Sequence, residues 1–361
     1  MKHKPQSLTS QATAVLLAIT AVGWGVSHLS PISVFAMQAA DEGAGDQKAA
    51  APNKKAPALQ RSKLSAAEVF EKVGEKLNDA QSLSCMLHQN VVMSGQTFHA
   101  VGRYVQASGN RIKLEYQIFP VRAAKKADEA RLAIGGPPLD TSEQKPTGSL
   151  TQVSDGSVLR SYWINGTQKK LSRRNIQEIT RAVNDIENYS AAKSLQDLGV
   201  GGLQALMSRL QTGMDFGAVQ EQQVGDTKLL VLYGRWSEKT LKELFGIEDP
   251  KNAVLQEFIP DYVRVYVDSS TMLPRRIQYL KKHPDPERKQ VRPVVTLDLR
   301  QLKLNEPVDD STFEFQRPAG DDLKDEDLTN EGIDTIKQIA AAKEQSAAAE
   351  AGTEKDDKPE Q

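Results

Sequence analysis

The chain contains a single cysteine, Cys85, among its 361 residues. A lone cysteine excludes an intramolecular disulfide, so packing must supply the stability of the fold. Cys85 alternates with Leu83 and Leu87, which is the period of a strand with one buried face. We therefore interpret Cys85 as a small core residue, and a reactive or intermolecular thiol is the alternative.

The chain also lacks an excess of charge of either sign. Lysine and arginine total 46, aspartate and glutamate total 47, and the formal net charge is −1. No basic run dominates the middle of the sequence. Because nucleic-acid binding requires a positive patch, nucleic acid is not an expected partner.

Histidine is scarce, with five in the chain. His3 and His28 lie in a predicted export signal, and His283 lies in a polar hairpin tip. His88 and His99 fall on neighbouring predicted strands, without a carboxylate or cysteine at the spacing of metal ligands. The sequence therefore predicts no metal, no cofactor and no enzymatic activity, and an unrecognised hydrolase is a third alternative.

A long apolar run occurs near the N terminus, at residues 12–26, after Lys2 and Lys4. Small residues at Val34 and Ala36 fit the rule for signal-peptidase cleavage. Residues 1–36 are thus a predicted signal peptide, and the mature chain is expected to be periplasmic or otherwise exported. An uncleaved membrane anchor is the alternative, although the run is at the short end for a spanning helix.

Two segments have the composition of unfolded chain. Residues 37–62 are rich in Ala, Pro and Lys and have few aliphatic side chains, which predicts a disordered linker. Residues 321–361 are acidic and rich in Ala, which predicts a disordered, solvated tail with a transient helix around residues 333–343. Residues 63–320 lie between them and are long enough for one large domain.

The domain is predicted to be α+β. Ser65 and Glu68 form a capping box in front of an amphipathic N-terminal helix. Alternating residues and turn signals then predict about ten antiparallel strands in meander order, interrupted by residues 121–146, an insertion without strong periodicity, and by inserted helices. A slip in the alternation near Gln301 predicts a β-bulge, and Phe313 with Phe315 predicts a short closing strand.

Residues 149–186 predict three strands that lead directly into a helix. An Asp155-Gly156 turn and an Asn165-Gly166 turn join the strands, because these dipeptides favour tight hairpins. The helix has an apolar stripe, which we expect to lie against the sheet and to form part of a lid. The stripe consists of Ile176, Ile179, Val183 and Ile186.

Three segments resemble one family: Gln152–Leu159 with Tyr162, Gly102–Val105 with Arg111–Tyr116, and Leu304–Phe315 with Pro318 and Gly320. They are similar to strands and turns of the LolA-like superfamily of periplasmic outer-membrane lipoprotein carriers. The resemblance is at the level of the superfamily and covers about residues 64–320. It implies an incomplete antiparallel β-barrel with a helical lid and a hydrophobic cavity for acyl chains.

The chain departs from the family at the residue that helps to hold the lid. The family has a basic residue just before the turn between two of these strands, where this chain has Ala107 and Ser108. Arg103 or Arg111 could take that role.

An acyl chain requires aliphatic and aromatic walls, since burial of each methylene contributes about 0.8 kcal/mol without any directional partner. Plain core packing is the alternative for every candidate. The candidates for the cavity and lid are Ile112, Leu114, Tyr116, Ile118, Ile176, Ile179, Val183, Leu203, Leu206, Met207, Val263, Val265 and Val267.

The resulting prediction is a monomeric periplasmic protein that binds and carries lipid or the acyl chains of lipoproteins. The alternative is an envelope sensor or interaction protein with the same fold, which would have other envelope proteins as partners.

Overall fold

The structure is a computed structural model that describes residues 60–93, 96–120, 122–123, 144–184, 201–245, 247, 249–250, 254–256, 259–283, 290–338 and 340–341. The predicted signal peptide, nearly all of the predicted linker, most of the 121–146 insertion and Ile186 lie outside the described residues, as do residues 342–361.

Within the described residues, fifteen strands form one sheet. The sequence predicts about ten, and the additional strands include four segments of two or three residues that are too short to show alternation. The strands are β1 (Gln60–Arg61), β2 (Ser82–Met93), β3 (Gln96–Ala107), β4 (Arg111–Ile118), β5 (Arg122–Ala123), β6 (Gly148–Asp155), β7 (Val158–Asn165), β8 (Gln168–Asn175), β9 (Met214–Phe216), β10 (Gln220–Val224), β11 (Thr227–Trp236), β12 (Tyr262–Asp268), β13 (Pro274–Lys282), β14 (Val291–Leu304) and β15 (Glu326–Asp327).

The sheet is open. Its order is β1-β10-β11-β12-β13-β14-β2-β3-β4-β6-β7-β8-β15, with β5 beside β3 and β9 beside β11. The described strand pairs are antiparallel, except that β15 runs parallel to β8. Most neighbours are consecutive in the chain, and the β14–β2 pair joins the two runs of the meander. The predicted α+β class and the open antiparallel sheet, consistent with an incomplete barrel, are therefore present.

The Asp155-Gly156 turn forms where the sequence predicts it. Asp155 Oδ1 accepts hydrogen bonds from the backbone N–H groups of Ser157, over 2.7 Å, and Val158, over 2.8 Å. Gly156 has a φ of +95°, a conformation that few residues other than glycine adopt. The predicted bulge is also confirmed, since the β14–β2 register shifts between Arg300 and Lys303.

The helices are α1 (Ala66–Asn78), α2 (Ile176–Val183), α3 (Gly202–Gly213) and α4 (Glu238–Phe245). The predicted capping box is present, because the backbone N–H groups of Ser65 and Glu68 each bond to the other side chain. The predicted closing strand at Phe313 is wrong. Asp310–Phe313 is a 3-10 helix, which Asp309 initiates by accepting a hydrogen bond from Ser311 N–H.

Residues 321–341 contain a strand and a helix, where the sequence predicts a disordered tail with a transient helix around residues 333–343. Strand β15 lies in this segment, and residues 329–338 and 340–341 are helical, here named α5. Ile333 and Ile336 of α5 are buried against α2. Acidic composition predicts solvation only when no basic surface is available, and β8 provides one through Lys169, Lys170 and Arg173.

One face of the sheet holds the main core. Helices α1 and α3 pack on this face, and their apolar side chains form one cluster with residues of β2, β3, β4, β6 and β11 to β14. Cys85 belongs to this cluster, which confirms its interpretation as a core residue. Burial raises the pKa of its thiol to about 12, so the thiol stays protonated near neutral pH.

The opposite face of the sheet carries a buried polar layer. Arg276 Nε donates to Asp298 across β13 and β14, and both side chains are nearly inaccessible. The next row contains Gln278 and Thr296, whose side chains bond over 3.4 Å, and Asn90, which lies opposite Thr296. A buried ion pair specifies register, because a slip of one residue would place each charge on the apolar face.

We predict that Asp298→Ala lowers the free energy of unfolding by about 3 kcal/mol, because it removes the carboxylate from a buried guanidinium. The control is the double variant Arg276→Met with Asp298→Leu, expected within about 1 kcal/mol of the wild-type chain or above it. Urea unfolding followed by circular dichroism measures both. Equal losses in the two variants would contradict a role for the charge pair itself.

Candidate functional site

The candidate site is the apolar interior between the sheet and helices α1 and α3. The structure brings nine of the predicted cavity and lid residues into one buried cluster, and Ile118 packs against it. Their role in ligand binding stays a prediction. The nine are Ile112, Leu114, Tyr116, Leu203, Leu206, Met207, Val263, Val265 and Val267.

Three predicted lid residues lie elsewhere. Ile179 and Val183 are fully buried, but they pack with Ile333, Ile336 and Ala340 of α5. Ile176 begins the same helix and is likewise outside the interior cluster. The predicted position of α2 as part of a lid over the cavity is therefore wrong. The stripe identified the buried face of α2 correctly but not the element that covers it.

Helix α3 lies directly over the interior. Its buried face consists of Leu203, Ala205, Leu206, Met207 and Leu210, after the left-handed Gly202. The spacing of these residues is that of one helical face, so burial follows from the sequence. The helix is thus the element that covers the predicted cavity.

The two ends of α3 are attached differently. Strand β9 follows the helix immediately and pairs with β11, so the C-terminal end is fixed to the sheet by backbone hydrogen bonds. At the N-terminal end, Gly201 provides no side-chain cap. Leu203 N–H there donates to Gln106 Oε1 of β3 over 3.2 Å. A side chain of the sheet therefore caps the start of the helix.

Gln106 is held in position by a neighbour on its own strand. The Tyr104 hydroxyl donates to Gln106 Oε1 over 2.8 Å. Gly202 has a φ of +65°, and a Cβ there would lie 2.3 Å from Gln106 Oε1 and 2.6 Å from the Tyr104 oxygen. Only glycine permits this close approach.

Gln106, and not a basic residue, contacts the start of α3. Arg111 does not take the role of the family's basic residue, because its guanidinium pairs with Asp310 and lies 5.2 Å from the centroid of the Phe313 ring. Arg103 is exposed on the other face of β3. One sequence signal could have identified Gln106, which is a polar residue in the alternation otherwise formed by Ala100, Gly102 and Tyr104.

The described apolar side chains of the interior are buried against one another. A pocket beside Gln106, lined also by Leu77 and Leu83, has a volume of about 10 Å³. That is room for about one water molecule, whereas ligand pockets typically have about 300–1,000 Å³. An acyl chain would therefore have to displace part of the present packing.

The polar groups of the interior include three phenols and Gln106, and the charge of Arg209 on α3 acts on Tyr279. Burial raises the pKa values of Tyr104, Tyr116 and Tyr279 well above the usual range, so these hydroxyls stay neutral. Neutral phenols add hydrogen-bonding groups without charge. The phenols themselves therefore add no ion to the interior.

On the opposite face, the structure places a carboxylate closer to histidine than the sequence suggests. Asp298 lies opposite His88 in the β14–β2 register, and the His99 ring bonds to Asn90 Oδ1 over 2.6 Å. Burial lowers the pKa of His88 and nearby Arg300 adds to this effect, so His88 is neutral near pH 7. Among the described residues, no cluster of three or more His, Cys, Asp or Glu could hold a metal ion.

No described helix is both long and apolar enough to cross a membrane. No protein-family model and no curated protein matches the chain.

Solved structures give matches at low identity. A LolA superfamily protein from Nitrosomonas europaea is 10% identical with a TM-score of 0.25, and the match covers 70% of this chain and 98% of that one. The Mycobacterium tuberculosis lipoprotein LppX is 10% identical with a TM-score of 0.32, over 68% of this chain and 99% of that one. MucB from the MucA/MucB complex of Pseudomonas aeruginosa is 13% identical with a TM-score of 0.29, over 70% and 61%. The matches thus include the superfamily that the three sequence segments resemble.

Proposed function

We propose that the chain binds the acyl chain of a lipid or lipoprotein in the interior of the sheet and carries it in the periplasm. Helix α3 is the lid. The observation that supports this proposal most strongly is the unequal attachment of α3. The helix is continuous with the sheet at one end, whereas side-chain hydrogen bonds to Gln106 and Asn78 hold the other.

The lid opens from its N-terminal end. Loss of the Leu203–Gln106 hydrogen bond and of the hydrogen bond from Gln204 to Asn78 of α1 frees the start of α3, while the β9–β11 pairing holds its end and serves as the hinge. Ser237 N–H also donates to Gly213 O over 3.1 Å, which strengthens the hinge end. Opening in this direction exposes apolar residues of the interior cluster to which α3 belongs.

The free energy needed to open the lid is similar to the free energy gained by burying an acyl chain. Exposing the four large apolar side chains of α3 costs about 6–12 kcal/mol, at about 1.5–3 kcal/mol for each. An acyl chain that buries about 15 methylenes contributes about 12 kcal/mol. The two contributions are similar, so a ligand can offset the cost of opening, and the chain closes again when the ligand leaves.

A binding role, and not an enzymatic one, fits this interior. Acyl chains require apolar walls and no directional partner, and the residues that α3 covers are apolar or neutral. An envelope sensor or interaction protein is the second candidate. The basic strand β8 and the acidic segment that covers it favour an additional protein contact.

We predict that Gln106→Ala increases the apparent affinity for a fluorescent palmitic acid analogue about tenfold. The variant removes the cap of α3, which weakens the closed state by about 1–2 kcal/mol and so reduces the cost of opening. Fluorescence titration of the full chain measures the affinity. The matched control is Gln223→Ala, which removes a 2.8 Å hydrogen bond to Gly225 O in an exposed turn and should leave the affinity unchanged.

Two results of this titration would count against the proposal. Absence of probe binding to folded wild-type chain and to folded Gln106→Ala would exclude an acyl site in the interior. Equal affinities for the wild-type chain and both variants would exclude α3 as the lid. Circular dichroism melts of each variant separate these results from simple unfolding.

We also predict that protein isolated from its own envelope carries lipid, detected by native mass spectrometry. Ile118→Lys should reduce the lipid-bound fraction about tenfold, because a charge is placed beside the acyl chain at a half-buried position. The control Gln117→Lys adds the same charge on the exposed face of β4. Repeated isolation of wild-type chain without lipid would contradict carriage.

A further inference from the structure

Strands β7 and β8 present a basic surface at one end of the sheet. We define the basic surface as Arg160 of β7 with Lys169, Lys170, Arg173 and Arg174 of β8. The surface is occupied by the C-terminal segment, residues 321–341. Because β8 would otherwise be an edge strand, its backbone is available for pairing with another chain.

The C-terminal segment forms ion pairs with four of the five cations of the basic surface. Its strand β15 pairs in parallel with Ser172 and Arg173, and Leu328 N–H donates to Arg173 O over 2.9 Å. Carboxylates beside this strand form an ion pair with each of four cations. The pairs are Lys169–Asp321 at 3.3 Å, Lys170–Glu326 at 2.8 Å, Arg173–Asp327 at 2.9 Å and Arg160–Asp325 at 3.6 Å.

An apolar contact continues the charged one. Helix α5 follows β15, and Thr329 at the junction accepts a hydrogen bond from Asn175 N–H over 3.0 Å. Ile333 and Ile336 then lie on the fully buried Ile179 and Val183 of α2. The surface therefore recognises three features in order: acidic residues, a short extended strand and an amphipathic helix.

Arg174 shows that this surface depends on carboxylates. Burial lowers the pKa of its guanidinium, whereas Glu331 and Glu326 raise it. Arg174 Nε is buried without a hydrogen-bond partner among the described residues. Acidic groups stabilise the charge of Arg174, and either the C-terminal segment or another chain that covers Arg174 can supply them.

The attachment of the C-terminal segment is of a kind that another chain can replace. The Lys170–Glu326 and Arg173–Asp327 pairs are about half exposed, so solvent and salt screen them. Strand β15 has only two residues. A partner with a longer strand could form the same contacts and additional backbone hydrogen bonds.

We propose that the basic surface and the apolar stripe of α2 together form a docking site for an acidic segment of a partner protein. The partner segment adds a parallel strand to β8 and places a following amphipathic helix on Ile179 and Val183. Residues 321–341 are the built-in competitor that occupies the site until the partner arrives. The docking site is separate from the interior, so it does not depend on acyl binding.

The test uses full-length chain in which the built-in competitor is weakened. Asp321→Asn, Glu326→Gln and Asp327→Asn together remove three of the ion pairs. The probe is a fluorescein-labelled synthetic peptide with the sequence of residues 321–341, and anisotropy measures binding. We expect about tenfold tighter peptide binding to this triple variant than to the wild-type chain. The reason is that the built-in competitor has lost three ion pairs, each of which stabilises its attachment by a small amount.

Two controls assign the binding to the site. Glu71→Gln, Glu75→Gln and Asp226→Asn remove the same charge from exposed positions outside the site, and should bind the peptide as the wild-type chain does. Adding Lys170→Glu and Arg173→Glu to the triple variant should abolish binding. Equal binding to the wild-type chain and the triple variant, or binding that survives the two reversals in a folded chain, would overturn the proposal.

A second peptide tests whether the site recognises a class of partner. It keeps the acidic residues and the apolar residues at positions 328, 333 and 336, with the other positions changed to Ala, Gln or Ser. We expect binding within about threefold of the native peptide, a difference below 1 kcal/mol. Failure of this peptide would restrict the site to its own segment and overturn the proposal.

Other occupants would also give distinct results. Dimerisation of the triple variant without peptide binding, measured by analytical ultracentrifugation, would assign the surface to a second copy of the chain. Binding of phosphatidylglycerol vesicles without peptide binding would assign it to an anionic membrane. Each of these results overturns the peptide site, and neither affects the acyl-binding test, which uses a different part of the molecule.

Discussion

The structure depends on covering the apolar face of an open sheet. A closed barrel can bury its interior by itself, whereas this sheet ends at β1 and β15 and needs helices over its apolar side. Helices α1 and α3 provide that cover and fill the interior. On the proposed function, a ligand would enter by replacing part of the cover, and binding would be an exchange between protein and ligand.

Because the sheet is open, its edge strands must be covered as well as its apolar face. An exposed edge strand pairs readily with other chains, and β8 also carries several cations. The C-terminal segment satisfies both the backbone and the charges of β8, and α5 covers the stripe of α2. The apolar face and the edge are thus covered by different elements with different chemistry.

The sequence predicts the parts of this fold that depend on near neighbours. The capping box at Ser65, the Asp155-Gly156 turn and the bulge near Gln301 each arise from local backbone chemistry, and periodicity identifies the buried faces of β4 and α3. Periodicity also identifies the buried stripe of α2. It cannot identify the covering element, because Ile333 and Ile336 are distant in sequence and lie in a segment whose composition indicates solvation.

The sequence also does not predict which residues meet across strands that are distant along the chain. Asp298 lies opposite His88 only because β14 pairs with β2, and that pairing is not encoded in either strand alone. Gln106 is missed because a lone polar residue in an apolar alternation gives no indication of the helix that it caps. Both examples concern polar side chains on a sheet, where function depends on partners that the local pattern does not specify.

The two coverings respond to different conditions because of their chemistry. The cover formed by α3 is apolar, so acyl chains compete with it and moderate salt has little effect on it. The C-terminal segment is held largely by exposed ion pairs, which salt screens over about 8–10 Å at 0.1–0.15 M. Helix α2 links these regions along the chain, since it follows β8 and precedes α3. On the two proposals, charge competition would open the edge while the interior stays closed, so one chain would bind a protein partner and a lipid independently.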